Sequence, residues 1–190
     1  MISLGRPLLA DPDYVNKLRA DDVKSIRPCL SCQEGGMGRI QEYSALNCAV
    51  NPSACREKET ALTPALRSKS VLIVGGGVAG CEAARVLALR GHRPVVYEQR
   101  SRLGGNLIPG GAPDFKEDDL ALVAWYEHEL KTLKVPVHTQ TSVTAETLRQ
   151  QNPDTVIIAT GSKPKLFALG PGCTPPPKCC SGTSTRVKTR

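Results

Sequence analysis

The sequence predicts an α/β domain built on a parallel sheet, and three observations carry that reading. Between residues 69 and 160, short apolar runs alternate with helical stretches, the pattern of repeated βαβ units. The first run, "KSVLIVG", flows directly into "GGGVAG", Gly75 to Gly80, a G-x-G-x-x-G turn that opens a helix. An acid, Glu98, ends the next apolar run. Strand, glycine turn, helix and acid-ended strand together describe a Rossmann-like dinucleotide-binding unit.

Each element has its own justification. "KSVLIVG" is continuously apolar, as a strand covered on both faces must be. "VAGCEAARVLALRG" is rich in Ala and Leu, and Gly91 stands where a helix closes through a left-handed residue. "RPVVYE" is a second buried strand. "FKEDDLALVAWYEHELKTL" is a long amphipathic helix with acids in its first turn and a lysine near its end, both favoured by the helix dipole. "VPVHT" and "DTVIIAT" are further strands, with the short helix "AETLRQQ" between them. Upstream, residues 1–28 read as strand end, loop and short helix. Asp11 is placed to cap that helix, with Pro12 at its first position and "DYVNKLRA" following. Residues 29–55 hold a glycine-rich cysteine segment, and 56–68 read as a polar linker. After Gly161 the alternation stops. "PGCTPPPKCCSGTSTRVKTR" carries no core residues and reads as a disordered basic tail.

Composition excludes several classes. Aromatic residues are 4% of the 190, too few for a base-stacking surface, so no nucleic-acid partner is expected. The formal charge of +7 is partly a tail property, since Lys178, Arg186, Lys188 and Arg190 cluster where there is no acid. No run approaches the roughly 20 apolar residues of a membrane span, and "MISLGRPLLADPD" lacks the form of a signal peptide. Eight cysteines without such a signal argue for a reducing, cytoplasmic setting with metal or redox use.

The glycine turn has a chemical logic. Gly75 permits the tight turn, Gly77 lets the backbone approach a pyrophosphate, and Gly80 lets helix and strand pack closely. The helix N-terminus presents unpaired N–H groups and positive dipole to phosphates. Glu98 accepts hydrogen bonds from adenosine ribose hydroxyls, and its charge opposes a 2′-phosphate, which disfavours NADP.

Two further stretches, "RLGGN" (Arg102 to Asn106) and "TVIIATGSKP", make the ensemble resemble the FAD domain of two-dinucleotide-domain flavoprotein reductases. The order of all the motifs is more specific. "SLGRPLLADPDYVNKL", a cysteine segment, "CAVNPSACRE" and then the glycine turn resemble the iron–sulfur flavoenzymes that join an old-yellow-enzyme-type barrel to an FAD/NAD module. That family includes 2,4-dienoyl-CoA reductase, 2-enoate reductase and trimethylamine dehydrogenase. The resemblance covers about residues 2 to 165 and implies the following organisation. Residues 1–28 are the end of a TIM-barrel FMN domain, 29–68 an iron–sulfur linker, 69–165 an incomplete FAD/NAD(P)-binding Rossmann-like domain, and 166–190 a basic tail. It further implies FAD contacts at Gly75, Gly77, Ala79, Gly80, Glu98, Gly105, Asn106, Lys116 and Val143, and an FMN phosphate contact at Gly5 and Arg6. In such an enzyme NAD(P)H reduces FAD, a [4Fe–4S] cluster passes single electrons, and FMN reduces an activated alkene such as an enoate or enoyl-CoA. Most of the barrel, with the substrate site, is absent from the sequence, as is the NAD domain, so a partner chain supplying the barrel is one expectation. A truncated, non-catalytic FAD- or nucleotide-binding module is the alternative, and a zinc-stabilised interaction module is a third.

The family's cluster motif is C-x2-C-x3-C-x11-C, four thiolates around one cubane. Cys29, Cys32 and Cys48 fill its first, second and fourth places, but the third falls on Gly36, which has no side chain to ligate iron. Three explanations stand: Cys55 substitutes, an exogenous ligand completes a three-cysteine cluster, or no cluster forms and the thiolates are idle or hold zinc. Cys81 reads as a buried core cysteine, and Cys173, Cys179 and Cys180 lie in the tail.

Overall fold

A computed structural model of the chain describes residues 2–162. The tail, with its three cysteines, lies outside the described residues. In chain order the elements are α1 (Arg6–Ala10), α2 (Tyr14–Arg19), a 3-10 turn at Val23–Ser25, a π-helical turn at Glu34–Gly38, α3 (Arg39–Gln41), β1 (Ser70–Val74), α4 (Val78–Leu89), β2 (Arg93–Tyr97), α5 (Leu107–Gly110), a 3-10 turn at Asp114–Lys116, α6 (Glu117–Thr132), β3 (Val137–His138), α7 (Ala145–Gln151) and β4 (Thr155–Ile158).

The four strands form one parallel sheet in the order β3-β2-β1-β4. The chain steps from β1 outward to β2 and β3, then returns to the other side of β1. Strand order therefore reverses between β1 and β4, the switch point outside which open α/β sheets bind ligands. Register places Ile73, Val96 and Ile157 side by side. Ile73 and Val96 are wholly buried in a core shared with Cys81 and Ala84 of α4 and Leu122, Trp125, Tyr126 and Leu130 of α6. β4 is one of the two edge strands, and its Val156 and Ile158 remain 37% and 77% exposed.

The Rossmann-like reading of residues 69–160 holds nearly element by element. Gly91 takes the left-handed conformation at φ +85°. The Gly91 and His92 amides donate to the Ala88 and Leu87 carbonyls, the paired bonds of a Schellman closure. β3 is shorter than "VPVHT" suggested. Pro136 can lend its carbonyl to the Val96 amide (3.0 Å) but has no N–H with which to extend the ladder.

The arm differs more from expectation. Residues 2–5 form no strand, because no neighbouring strand is present among the described residues to pair with them. Asp11 does not cap a helix. Its carboxylate is taken by the Lys17 ammonium (2.7 Å) and by the amides of Arg27 (2.8 Å) and Asp13 (3.1 Å), so α2 begins later, at Tyr14. The arm packs on the sheet. Ala10 and Val50 belong to the same core as the sheet, and the Trp125 indole of α6 donates to the Ser25 carbonyl at 2.9 Å. Arg27, 7% exposed, lies 4.5 Å above the Trp125 ring and donates to the Val50 carbonyl (2.8 Å). Burial, together with the neighbouring Arg85 charge, pulls the Arg27 guanidinium below its usual range.

Candidate functional site

The chemistry-bearing residues gather in two places: the carboxyl ends of the strands and a cavity in the arm. At the first, β1 ends in the glycine turn. Gly75 adopts φ +111°, and a Cβ there would strike the carbonyl of Ala159, in the "ATG" stretch that ends β4. A Cβ on Gly80 would strike the Gly75 carbonyl, so the first turn of α4 can close only over glycine. Gly77 is the N-cap of the 12-residue α4, and around it a Cβ would meet only the Gly105 Cα at 3.9 Å.

Gly105 brings in the second glycine motif. The Gly104 amide donates to the Gly76 carbonyl (2.8 Å), and the Arg100 guanidinium donates to the Gly105 carbonyl (3.1 Å). "GGGVAG" and "RLGGN", a full helix and strand apart in sequence, thus lie backbone against backbone. Leu103 is buried beneath Gly76.

Glu98 closes the cradle from β2. Its side chain is 6% exposed and accepts from the Gly76 amide (2.6 Å) and the Arg100 amide (2.8 Å). Two backbone donors hold the carboxylate rigidly at the turn, with lone pairs left for ribose hydroxyls. Beside it runs the segment after β3, whose Thr141 amide donates to the Glu98 carbonyl (2.9 Å). Val143, half-buried, is two residues further on. Ala79 is exposed on the first turn of α4, and Asn106 is exposed at the N-cap of α5. Lys116 is exposed on the 3-10 turn leading into α6. The structure brings together Gly75, Gly77, Ala79, Gly80, Glu98, Gly105 and Asn106, and sets Val143 along the same edge. It shows no contact between Lys116 and the cradle. As a donor set, paired glycine turns, a helix N-terminus and a fixed carboxylate fit a dinucleotide's phosphates and adenosine ribose.

Cys81, which the sequence marked only as core, has a part here. Its thiol donates to the Gly76 carbonyl (3.4 Å). Burial, and then the Glu98 carboxylate, push it up to about 12. The folded chain therefore keeps this proton where an unfolded cysteine, at about 8.5, has lost it. Stability is unaffected below the unfolded value and should decline as pH rises from there towards 12. Urea unfolding at pH 7.5 and 10.5 should show that loss, and Cys81→Ala should flatten it.

The second place is an apolar cavity of about 140 Å³ in the arm. Cys29, Cys32 and Cys48 line it, together with Gly36, Arg6 and Met37. All three thiols are free, and so is Cys55, which is exposed and absent from the cavity wall. The thiols share a wall without converging. Among the described residues, no three His, Cys, Asp or Glu side chains are grouped to hold one metal ion. These residues do not fit a four-thiolate cluster. Arg6 belongs to this cavity, while Gly5 is exposed at the N-cap of α1. No described helix is long and apolar enough to cross a membrane.

Comparison with known proteins found relatives that cover most of the chain. Residues 73–125 match the family described as NAD(P)-binding Rossmann-like domain. The chain is 53% identical over 169 residues to cinnamate reductase of Clostridium sporogenes, covering 89% of this chain and 25% of that protein. It is 40% identical over 162 residues to bilirubin reductase of Mediterraneibacter gnavus, covering 85% of this chain and 25% of that one. Among solved structures, 2-naphthoyl-CoA reductase in complex with 2-naphthoyl-CoA superposes with a TM-score of 0.81 at 30% identity, over 86% of this chain and 26% of that one. Histamine dehydrogenase from a Rhizobium species gives 0.78 at 27% identity, over 86% and 24%. The chain spans about a quarter of the length of the relatives it matches.

Proposed function

We propose, from the premise that this chain is homologous to a quarter-length segment of the reductase family represented by cinnamate reductase, that it supplies the FAD-binding half and the cysteine arm of a flavin-dependent oxidoreductase. FAD, when bound, supplies two-electron acceptance from NAD(P)H and one-electron release. A complete enzyme of this kind would deliver those electrons to an FMN held by a barrel, and so reduce an activated alkene, an enoate or enoyl-CoA. The single observation carrying the reading is the meeting of "GGGVAG", "RLGGN" and Glu98 at the carboxyl edge of the sheet.

The chain's own residues then have distinct tasks. The amides at the start of α4 receive the pyrophosphate, with Ala79 small enough to leave them open. Glu98 orients the adenosine ribose through its hydroxyls. Gly105 and Asn106 follow the glycine turn towards the flavin side, Val143 reaches the adenine through its backbone, and Lys116 supplies a nearby positive charge. Gly5 and Arg6 contribute to an FMN phosphate site only together with a barrel. The exposed β4 edge favours one second reading for the chain alone: a nucleotide-binding module without turnover. Free thiols at all five described cysteines suit a reducing compartment such as the cytoplasm.

Titration of FAD, NAD and NADP into the chain, followed by flavin fluorescence quenching and competition, tests the reading. FAD should bind tightest, because the fixed Glu98 charge opposes a 2′-phosphate. Glu98→Ala should weaken FAD by about 1–3 kcal/mol through loss of charge-assisted hydrogen bonds. NADP binding tighter than FAD would overturn the assignment, and an unchanged FAD affinity in the variant would remove Glu98 from the site.

A further inference from the structure

The disagreement at the cysteine cavity is local, and its locality is visible. Cys29, Cys32 and Cys48 already line one cavity, and so does Gly36. Around Gly36 an added Cβ would meet nothing within 4 Å, and its backbone lies outside the left-handed region. The position therefore accepts any small side chain without strain. Its neighbours do not behave alike. A Cβ on Gly35 would collide with the Asn47 side chain and backbone, because the Asn47 amide is bonded to the Gly35 carbonyl (2.9 Å). That same bond fixes Cys48, the next residue, against the turn. On Gly38 a Cβ would sit 3.4 Å from the Gln33 carbonyl, and Gly38 is not part of the cavity wall.

The turn itself is set for a side chain at position 36. Residues Glu34–Gly38 form a π-helical turn, closed by the Gly38 amide on the Gln33 carbonyl (3.0 Å), and single π turns concentrate at functional sites. Gln33 and Ser31 beside it hold left-handed backbone at φ +56° and +53°, a cost of about 1–2 kcal/mol per residue for side chains of this kind. Cys55, the remaining thiol of the arm, is exposed and outside the cavity.

We infer that this chain carries no resident four-thiolate iron–sulfur cluster, and that the thiol missing at Gly36 is what leaves Cys29, Cys32 and Cys48 lining one cavity without converging on a metal. On the proposed function, the consequence is a separation within one chain: the glycine turns and Glu98 of the cradle meet, while the arm lacks its fourth thiolate.

Anaerobic reconstitution of the chain with ferrous iron and sulfide tests this, read as iron and sulfide per chain and as visible absorbance. Wild type should hold far less than a full complement, or a cluster lost on desalting. Gly36→Cys should approach about four irons per chain with the broad absorbance of a cubane. Gly38→Cys, which adds a thiol just outside the cavity, should load no better than wild type. Stable four-iron loading of wild type overturns the inference without reference to any variant, and its loss in Cys55→Ser would then identify the fourth ligand. Gly36→Cys loading no more than wild type, or Gly38→Cys loading equally well, overturns the claim that position 36 decides. Iron is counted without flavin present, so these outcomes are independent of the FAD reading.

Discussion

Trp125→Ala is expected to lower the stability of the chain by about 3–5 kcal/mol, the range for truncating a large buried aromatic. That is a large share of the 5–15 kcal/mol by which whole domains are stable. Trp125 is 4% exposed and sits in the one core that the arm and the sheet share. Its loss leaves a cavity between α6 and the arm, removes one of the two described donors to the Ser25 carbonyl (the Lys17 ammonium at 2.9 Å is the other), and strips the π-face from the buried Arg27. Arg27 Nε already has no hydrogen-bond partner, so its guanidinium depends on that ring more than an exposed arginine would. Urea unfolding followed by far-UV circular dichroism measures the effect. Trp125→Phe separates the parts: it keeps most of the packing and loses the N–H, and should cost only about 1–2 kcal/mol. A loss under 1 kcal/mol for Trp125→Ala would mean that the arm is not held to α6 in solution. Limited proteolysis should report the same release, with cleavage in residues 20–60 faster in the alanine variant than in wild type.

The contrast between sheet and arm explains what the sequence could and could not disclose. β1, α4, β2, α6 and α7 were legible because their signals are local. A continuous apolar run, an Ala/Leu-rich stretch closed by Gly91, and acids ahead of an amphipathic repeat each decide their own segment. The cradle was legible for the same reason, since glycine is required wherever Gly75 and Gly80 crowd backbone. The arm was not. Asp11 reads as a helix cap until Arg27, 16 residues on, and Lys17 are seen to take its carboxylate. Trp125 reads as one face of an amphipathic helix, and only the fold reveals its bond to Ser25, 100 residues away. Cys81 read as plain core, and its bond to the Gly76 carbonyl needed the turn to be built. At the cysteine segment, the resemblance to the iron–sulfur flavoenzymes implied that Gly36 is the gap, whereas the shared cavity, the excluded Cys55 and the open space at position 36 are properties of the folded loop.

Gly80→Ala should damage the cradle more than any other single methyl added to the chain. The new Cβ would meet the Gly75 carbonyl oxygen in the interior of the turn. A backbone atom cannot rotate away as a side chain can, so α4 must lift from β1. Overpacking of this kind costs about 1–3 kcal/mol or more. The same displacement pulls the α4 amides out of line with a pyrophosphate, and FAD affinity should fall by at least tenfold to a hundredfold, about 1.4–2.8 kcal/mol. Two neighbouring substitutions show whether the cause is this contact. Gly77→Ala meets only the Gly105 Cα at 3.9 Å and should leave stability nearly unchanged while still weakening FAD, because its methyl projects where the phosphates approach. Gly91→Ala meets nothing within 4 Å but must hold φ +85°, so it should cost about 1–2 kcal/mol of stability and leave FAD affinity alone. Thermal unfolding and FAD titration on the three variants therefore sort them into three patterns: both properties lost, binding lost, stability lost. If Gly80→Ala instead unfolds and binds FAD as wild type does, the close approach of α4 to the turn is not the feature that builds the site.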